Sequence, residues 1–198
     1  NVLVVNAAGS LRSLKDLVDR AKADPGKMNY SSGGNGSAAH ITFEYLKLRT
    51  GIAVSHIPYR GTAPSVTDLL GGQVDATFTG APAVLPHIKS GRLRALAVSS
   101  PTRLAALPDV PTVAESGYPD FEADQWYGVV APAGMPAALI ARLNTIINEA
   151  LQSTEVAQQL AAEGAIPTPT TPQAFADLIA REIPRWREVI RAGKVKAG

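Results

Sequence analysis

Tyr30-Ser31-Ser32-Gly33-Gly34-Asn35-Gly36-Ser37-Ala38-Ala39-His40 joins a short β-like run, Lys27 to Ser32, to an amphipathic helical pattern from Ser37 to about Leu48. The joint holds Gly33, Gly34 and Gly36, one asparagine and several hydroxyls, and no charge. A strand-to-helix turn of this make presents bare backbone N–H groups at the positive end of a helix, which is a seat for an anion. With no lysine or arginine in the loop, amides and hydroxyls hold the bound group. That suits reversible capture of a small carboxylate better than grip on a polyphosphate. The plainer alternative is an ordinary corner whose glycines only make it tight.

Outward from this turn, strand and helix signals alternate. Upstream, Asn1 to Asn6 is an apolar strand, and Ser13 caps a helix that Pro25-Gly26 ends. Downstream, Ile52 to Ile57 reads as a strand and Pro58-Tyr59-Arg60-Gly61 as a turn. Thr62 caps a helix to Leu70 with Pro64 in its first turn. Val74 to Thr79 is a strand, Gly80-Ala81-Pro82 opens a helix to about Lys89, and Leu93 to Val98 is a further strand. Such βα units predict a parallel sheet with right-handed crossovers. Ligands of these sheets sit outside the carboxyl ends of the strands. Three strand-to-helix turns fall there, Gly33–Ser37, Tyr59–Thr62 and Thr79–Ala83, and we read them as one wall of one site.

The remainder differs. Pro101 to Pro119 is loop-rich, with a capping-box helix predicted at Thr112-Val113-Ala114-Glu115. Trp126 to Ala131 reads as a strand, and from Pro136 the pattern is helical: Pro136–Leu151, Ser153–Ala162 and Pro172–Ala192. Leu139, Leu143, Ile146, Ile147 and Leu151 make an apolar stripe at helical spacing that needs a partner surface. No later strands supply one. The chain opens without a methionine on a strand already under way, so the expectation is a piece of something longer, with that partner in preceding sequence.

Composition narrows the function classes. The 198 residues are 45% hydrophobic and 18% charged, enough for a substantial core. The 19 basic and 17 acidic residues are interspersed, so a nucleic-acid or polybasic membrane surface gets little support. Cysteine is absent, which removes disulfides, thiolate metal sites and a thiol nucleophile. No apolar run approaches the roughly 20 residues that span a bilayer. His40, His56 and His87 have no metal-ligand spacing and read as structural, with His40 positioned to brace the loop. No metal and no cofactor is expected.

Enzyme motifs are missing or incomplete. The turn has neither a Gly-x-Ser-x-Gly elbow nor a Gly-Lys-Ser/Thr phosphate loop. Gly34-x-Gly36-x-x-Ala39 is a partial dinucleotide fingerprint, but the next strand ends Ile57-Pro58-Tyr59-Arg60, without the acid a ribose needs. Arg60 could meet a 2′-phosphate, which keeps an NADP-binding Rossmann-type enzyme as an alternative. The effector-binding domain of a transcription regulator is another, although no helix-turn-helix segment is present.

Several stretches in one order resemble the tripartite tricarboxylate transporter substrate-binding family, also known as Bug or TctC-like proteins. They are Tyr30 to His40, His56-Ile-Pro-Tyr-Arg-Gly61, Asp68-Leu-Leu-Gly-Gly-Gln-Val-Asp75 and Leu85 to Val98. Leu107 to Gly117 and Trp126-Tyr-Gly-Val-Val-Ala-Pro-Ala-Gly-Met-Pro136 continue the match over essentially the whole chain. The resemblance implies a periplasmic, two-lobed α/β receptor of the type II binding-protein fold. It would be non-catalytic, capturing a small organic acid for membrane transporter subunits. Residues 1–125 would then be the second lobe with its opening crossover strand. Residues 126–198 would be the returning crossover and the helices that complete a first lobe incomplete here. The expected ligand-binding residues are Ser32, Asn35, Gly36, Ser37, Ala38, Tyr59, Arg60, Thr79, Ala81 and Trp126. Tyr59 either lines the cleft or packs under its turn; Trp126 is either a cleft wall or core. The amides of Gly36, Ser37 and Ala38 are expected to face the carboxylate.

Overall fold

A computed structural model describes residues 1–196. Residues 1–125 with 188–196 form one compact unit and Trp126–Arg187 another, and each is described by itself.

In the first unit the elements follow as β1 (Val2–Asn6), α1 (Leu14–Ala23), β2 (Asn29–Ser32), α2 (Ala38–Thr50) and β3 (Ser55–Pro58). They continue as α3 (Thr62–Leu70), β4 (Ala76–Thr79), α4 (Ala81–Lys89) and β5 (Leu93–Val98). One sheet contains all five strands in the order β3-β2-β4-β1-β5. β2 runs parallel to both β3 and β4, as the alternating βα pattern predicts. β1 departs from it, running antiparallel between β4 and β5. Its Val2, Leu3, Val4 and Val5 are all buried, as a strand packed on both faces requires. Burial on both faces marks a central strand but carries no information on its direction, so the sequence could not reveal the reversal.

Side chains alternate across the sheet. Val2 and Val4 face α3 and α4, joining Val66, Leu69, Val84, Leu85 and Val98 in one core cluster. The other face carries Tyr30, stacked on Phe43 at 3.8 Å, with Phe78 edge-on to Phe43 at 5.9 Å. At about 25 cal/mol per Å² of apolar area removed from water, these two layers are the main source of stability.

Polar side chains then fix register and ends. Asn29 N–H donates to Asp75 Oδ2 (2.8 Å) and Asp75 N–H to Asn29 Oδ1 (3.2 Å), which locks the starts of β2 and β4. Asn6 Nδ2 donates to the carbonyls of Leu69 and Leu70, satisfying the orphan acceptors at the end of α3. α1 begins with the expected Ser13 cap, a full capping box with Asp16.

Three local expectations need correction. α3 is preceded by Gly61 as its cap, and Thr62 is already helical. The Thr112–Glu115 capping box forms, with Thr112 N–H donating to Glu115 Oε2 and Glu115 N–H to Thr112 Oγ1. It closes only a turn, because Thr112 bridges to Val98 of the sheet and the chain bends again by Gly117. α2 is not amphipathic: its buried residues include His40, Thr42 and Glu44 beside Phe43 and Leu46.

The second unit holds α5 (Ala137–Gln152), α6 (Thr154–Ala162) and most of α7 (Pro172–Ala192). Trp126 to Ala131, expected as a strand, pairs with no strand among the described residues, and Tyr127, Val129 and Val130 are exposed. Alternating apolar residues make a strand only where a neighbouring strand takes up the backbone groups. Neither α5 nor α6 contains a buried residue.

Candidate functional site

Because β2, β3 and β4 are parallel, their carboxyl ends reach one edge of the sheet, and the three predicted turns meet there. The first two are joined through backbone: Tyr59 N–H donates to Ser32 O (3.0 Å) and Gly61 N–H to Gly33 O (3.1 Å). Glycine is required at this contact. A Cβ on Gly33 would lie 3.4 Å from Gly61 C and Thr62 N, and one on Gly34, at φ 132°, would lie 3.3 Å from Tyr59 O.

Ser37 caps α2 as expected, its Oγ accepting from His40 N–H at 3.4 Å. The amides are disposed differently from the sequence reading. Gly36 N–H donates to His40 Nδ1 (3.1 Å) and Ser37 N–H to Gly34 O (3.2 Å), so both are engaged within the turn. Ala38 and Ala39 N–H have no acceptor among the described residues, and both are half-buried. These are the groups open to an anion. α3 and α4 start at Gly61 and Gly80 on the same edge, with no side-chain cap and no acidic residue in their first turns. α2 has no first-turn acid either. Three helix N-termini therefore lend uncompensated partial positive charge to one rim.

The other expected residues separate into two groups. Arg60 is exposed and makes no hydrogen bond or ion pair among the described residues, so its guanidinium is free beside the rim. Asn35 is exposed at the tip of the first turn, while Thr79 and Ala81 are buried at the third. Tyr59 instead sits under its turn: its hydroxyl donates to Asp68 Oδ2 at 2.6 Å and its ring packs on the core. Ser32 is buried, and its Oγ serves Gly34 and His56. Trp126 belongs to the second unit, where it meets Phe175 edge-on at 5.4 Å. Asn1, which the sequence reading did not single out, joins the rim because antiparallel β1 starts where β4 ends, with Val2 opposite Thr79.

Beneath the first turn lies a polar stack that spacing alone could not reveal. His40 and His56 are 3.7 Å apart ring to ring, and Tyr30 is 4.9 Å from His56. Tyr30 Oη donates to Glu44 Oε1, as does Lys47 Nζ, both at 2.6 Å. Burial, then the Glu44 bond, raises the Tyr30 phenol well above its ordinary value. Burial lowers His40, and burial together with neighbouring His40 pushes His56 down to about 4. Both imidazoles are thus neutral around pH 7. The signal in the sequence was the unusual pair of polar residues, His40 and Glu44, one helical turn apart on a face that is buried.

A separate cavity of about 320 Å³ lies between Arg12–Lys15 and Ala95–Leu96, and none of its lining residues belongs to the three turns. No cluster of histidine, aspartate and glutamate suited to a metal ion occurs among the described residues. No described helix is long and apolar enough to cross a membrane.

Comparison of sequence and fold with known proteins finds relatives over nearly the whole chain. The chain is 48% identical to Protein BugT of Bordetella pertussis over 190 residues, covering 96% of this chain and 58% of BugT. It superposes on an R. palustris protein solved with adipate at TM-score 0.90 and 33% identity, covering 98% of this chain and 65% of that one. MatC from Rhodopseudomonas palustris, with bound malate, gives TM-score 0.84 at 27% identity, covering 96% and 65%. The chain thus spans under two thirds of these relatives' length. The family model described as "Tripartite tricarboxylate transporter family receptor" matches residues 1–195, and the chain belongs to that family.

Proposed function

We propose that this protein is an extracytoplasmic receptor that captures a small organic carboxylate and presents it to the membrane subunits of a tripartite transporter. One observation carries the reading: three helix N-termini without acidic caps converge on one sheet edge beside the unpaired Arg60. A carboxylate there accepts from Ala38 and Ala39 N–H, with Asn35 and Arg60 within the same rim. Each charge-assisted hydrogen bond is worth about 1.5–3 kcal/mol. Two or three of them sum to about 3–9 kcal/mol, so with the cost of association micromolar affinity, about 8 kcal/mol, needs further contacts from a closed cleft. Relatives solved with adipate and with malate favour a dicarboxylate. The family match supports this reading over the NADP-binding and regulator alternatives. Ligand binding would draw two lobes together, and the closed form would be what the transporter subunits recognise.

Calorimetric titration with adipate, malate, citrate, benzoate and NADP tests the reading. Saturable binding of one carboxylate and none of NADP is the expected result. Binding of NADP alone would replace the receptor reading with the dinucleotide one. Small-angle scattering that detects no compaction at saturation would remove the closure step while leaving capture intact.

A further inference from the structure

The ring stack behind the Gly-rich turn is tied to it at two points. Gly36 N–H donates to His40 Nδ1 at 3.1 Å. His56 Nε2 lies 2.6 Å from Ser32 Oγ, which accepts from Gly34 N–H (3.1 Å) and donates to Gly34 O (3.0 Å). His40 comes from the first turn of α2 and His56 from strand β3, at the edge of the sheet. The two stacked imidazoles thus hold the two ends of the turn from below.

We propose that His40 and His56 are positioning residues that latch the Gly-rich turn in its ligand-binding shape, and that protonation of His40 opens the latch. The proposal rests on the reading of that turn as the carboxylate seat.

The chemistry follows from which nitrogen carries hydrogen. An Nδ1 that accepts a hydrogen bond bears no proton, so His40 is the neutral Nε2–H tautomer. A proton on Nδ1 turns the acceptor into a donor facing another donor. Gly36, held at φ 72°, then loses its tie, and the open amides of Ala38 and Ala39 follow it. Ser32 has a single hydroxyl hydrogen, which goes to Gly34 O, so His56 Nε2–H is the donor in the 2.6 Å contact. A second proton on His56 keeps that bond but sets a cation 3.7 Å from His40.

The charged and titratable groups facing the pair are Glu44 and Lys47 of α2 and Tyr30 of β2. Glu44 favours the protonated imidazoles, yet its carboxylate already accepts from Tyr30 and Lys47; Lys47 opposes them. Burial also favours the neutral rings. The latch is therefore closed above the ordinary histidine value of 6.5, and because burial holds His40 below that value it opens only at a lower pH.

The test measures adipate affinity, with malate as a second probe, at pH 7.5 and 5.0 for the wild type, H40N and H40A. Nitrogen-15 NMR of the imidazoles runs alongside. The probe's own titration is common to all three proteins and cancels in the comparison. The wild type is expected to weaken roughly fivefold more than H40N between the two pH values, the worth of one orienting hydrogen bond. H40A binds weakly at both, and H40N recovers part of that loss because asparagine Oδ1 can accept where Nδ1 does. In the NMR, His40 Nδ1 is unprotonated at pH 7.5, and the Gly36 amide shifts with the titration of His40. Parallel pH profiles for wild type and H40N, or a proton on His40 Nδ1 at pH 7.5, would overturn the latch. If neither probe binds at pH 7.5 the dicarboxylate reading fails. The NMR titration still decides the latch, which a Gly36 amide indifferent to His40 would overturn.

Discussion

The strands of residues 1–125 and the helices of Trp126–Arg187 carry apolar patterns of similar strength, yet the two regions bury them very differently. Leu3, Tyr30, Phe43, Phe78 and Leu96 are 0–2% exposed, whereas Leu139, Leu143 and Ile146 of α5 are 40–50% exposed. In the first region α2, α3 and α4 pack against strands of the sheet. In the second, three helices form by local pattern, and α5 and α6 bury no residue among those described. Periodicity makes a helix amphipathic; only a facing surface makes its stripe a core.

That contrast can be broken by equal substitutions on the two sides. Leu3→Ala is expected to cost about 2–5 kcal/mol, the price of a cavity in a closed core. Leu143→Ala is expected within about 0.5 kcal/mol, as for exposed positions. Urea unfolding of both variants measures the difference, and comparable losses would mean that α5 is covered in solution. The exposed stripes also predict self-association of this chain. Sedimentation velocity should record it, with Leu139, Leu143 and Ile146 changed together to glutamine restoring a monomer; a well-behaved monomer without those changes would contradict it.

Finer probes address the polar layer within the ordered region. Tyr30→Phe removes a donor from buried Glu44 and is expected to cost about 1.5–3 kcal/mol by urea unfolding. Histidines held below their free value give a defined pH dependence. The unfolded chain binds protons below about 6.5 while folded His56 stays neutral down to about 4. Stability is therefore complete above that window and is lost as pH falls through it. His56→Gln, which keeps a donor toward Ser32 without titrating, should flatten the profile between pH 6.5 and 4; an unchanged slope would assign the dependence to other groups. The smallest effect is expected from Ser37→Ala, about 0.5–1 kcal/mol by thermal melting, since the capping bond is long at 3.4 Å.

Much of the first region was legible in the sequence. Ser13 and Gly26 bracketed α1, Pro64 marked the first turn of α3, and Gly80-Ala81-Pro82 opened α4 where α4 begins. The Gly-rich stretch was also correctly read as a strand-to-helix turn capped by Ser37. Engagement of individual groups was less legible. The amides of Gly36 and Ser37, Ser32 Oγ and Tyr59 Oη are occupied by partners near in space, and a backbone N–H has no signature in its own side chain. The antiparallel course of β1 was hidden because burial on both faces is the same for either direction.

The sequence by itself determined most of the elements, the three turns and the family, since caps, breakers and short-range periodicity act within a few residues along the chain. Tertiary structure alone decided that β1 is reversed and that Trp126 to Ala131 pairs with no described strand. It also brought His40 and His56, sixteen positions apart, into one stack under the Gly-rich turn. Those outcomes depend on hydrogen-bond partners and facing surfaces that sequence separation does not encode.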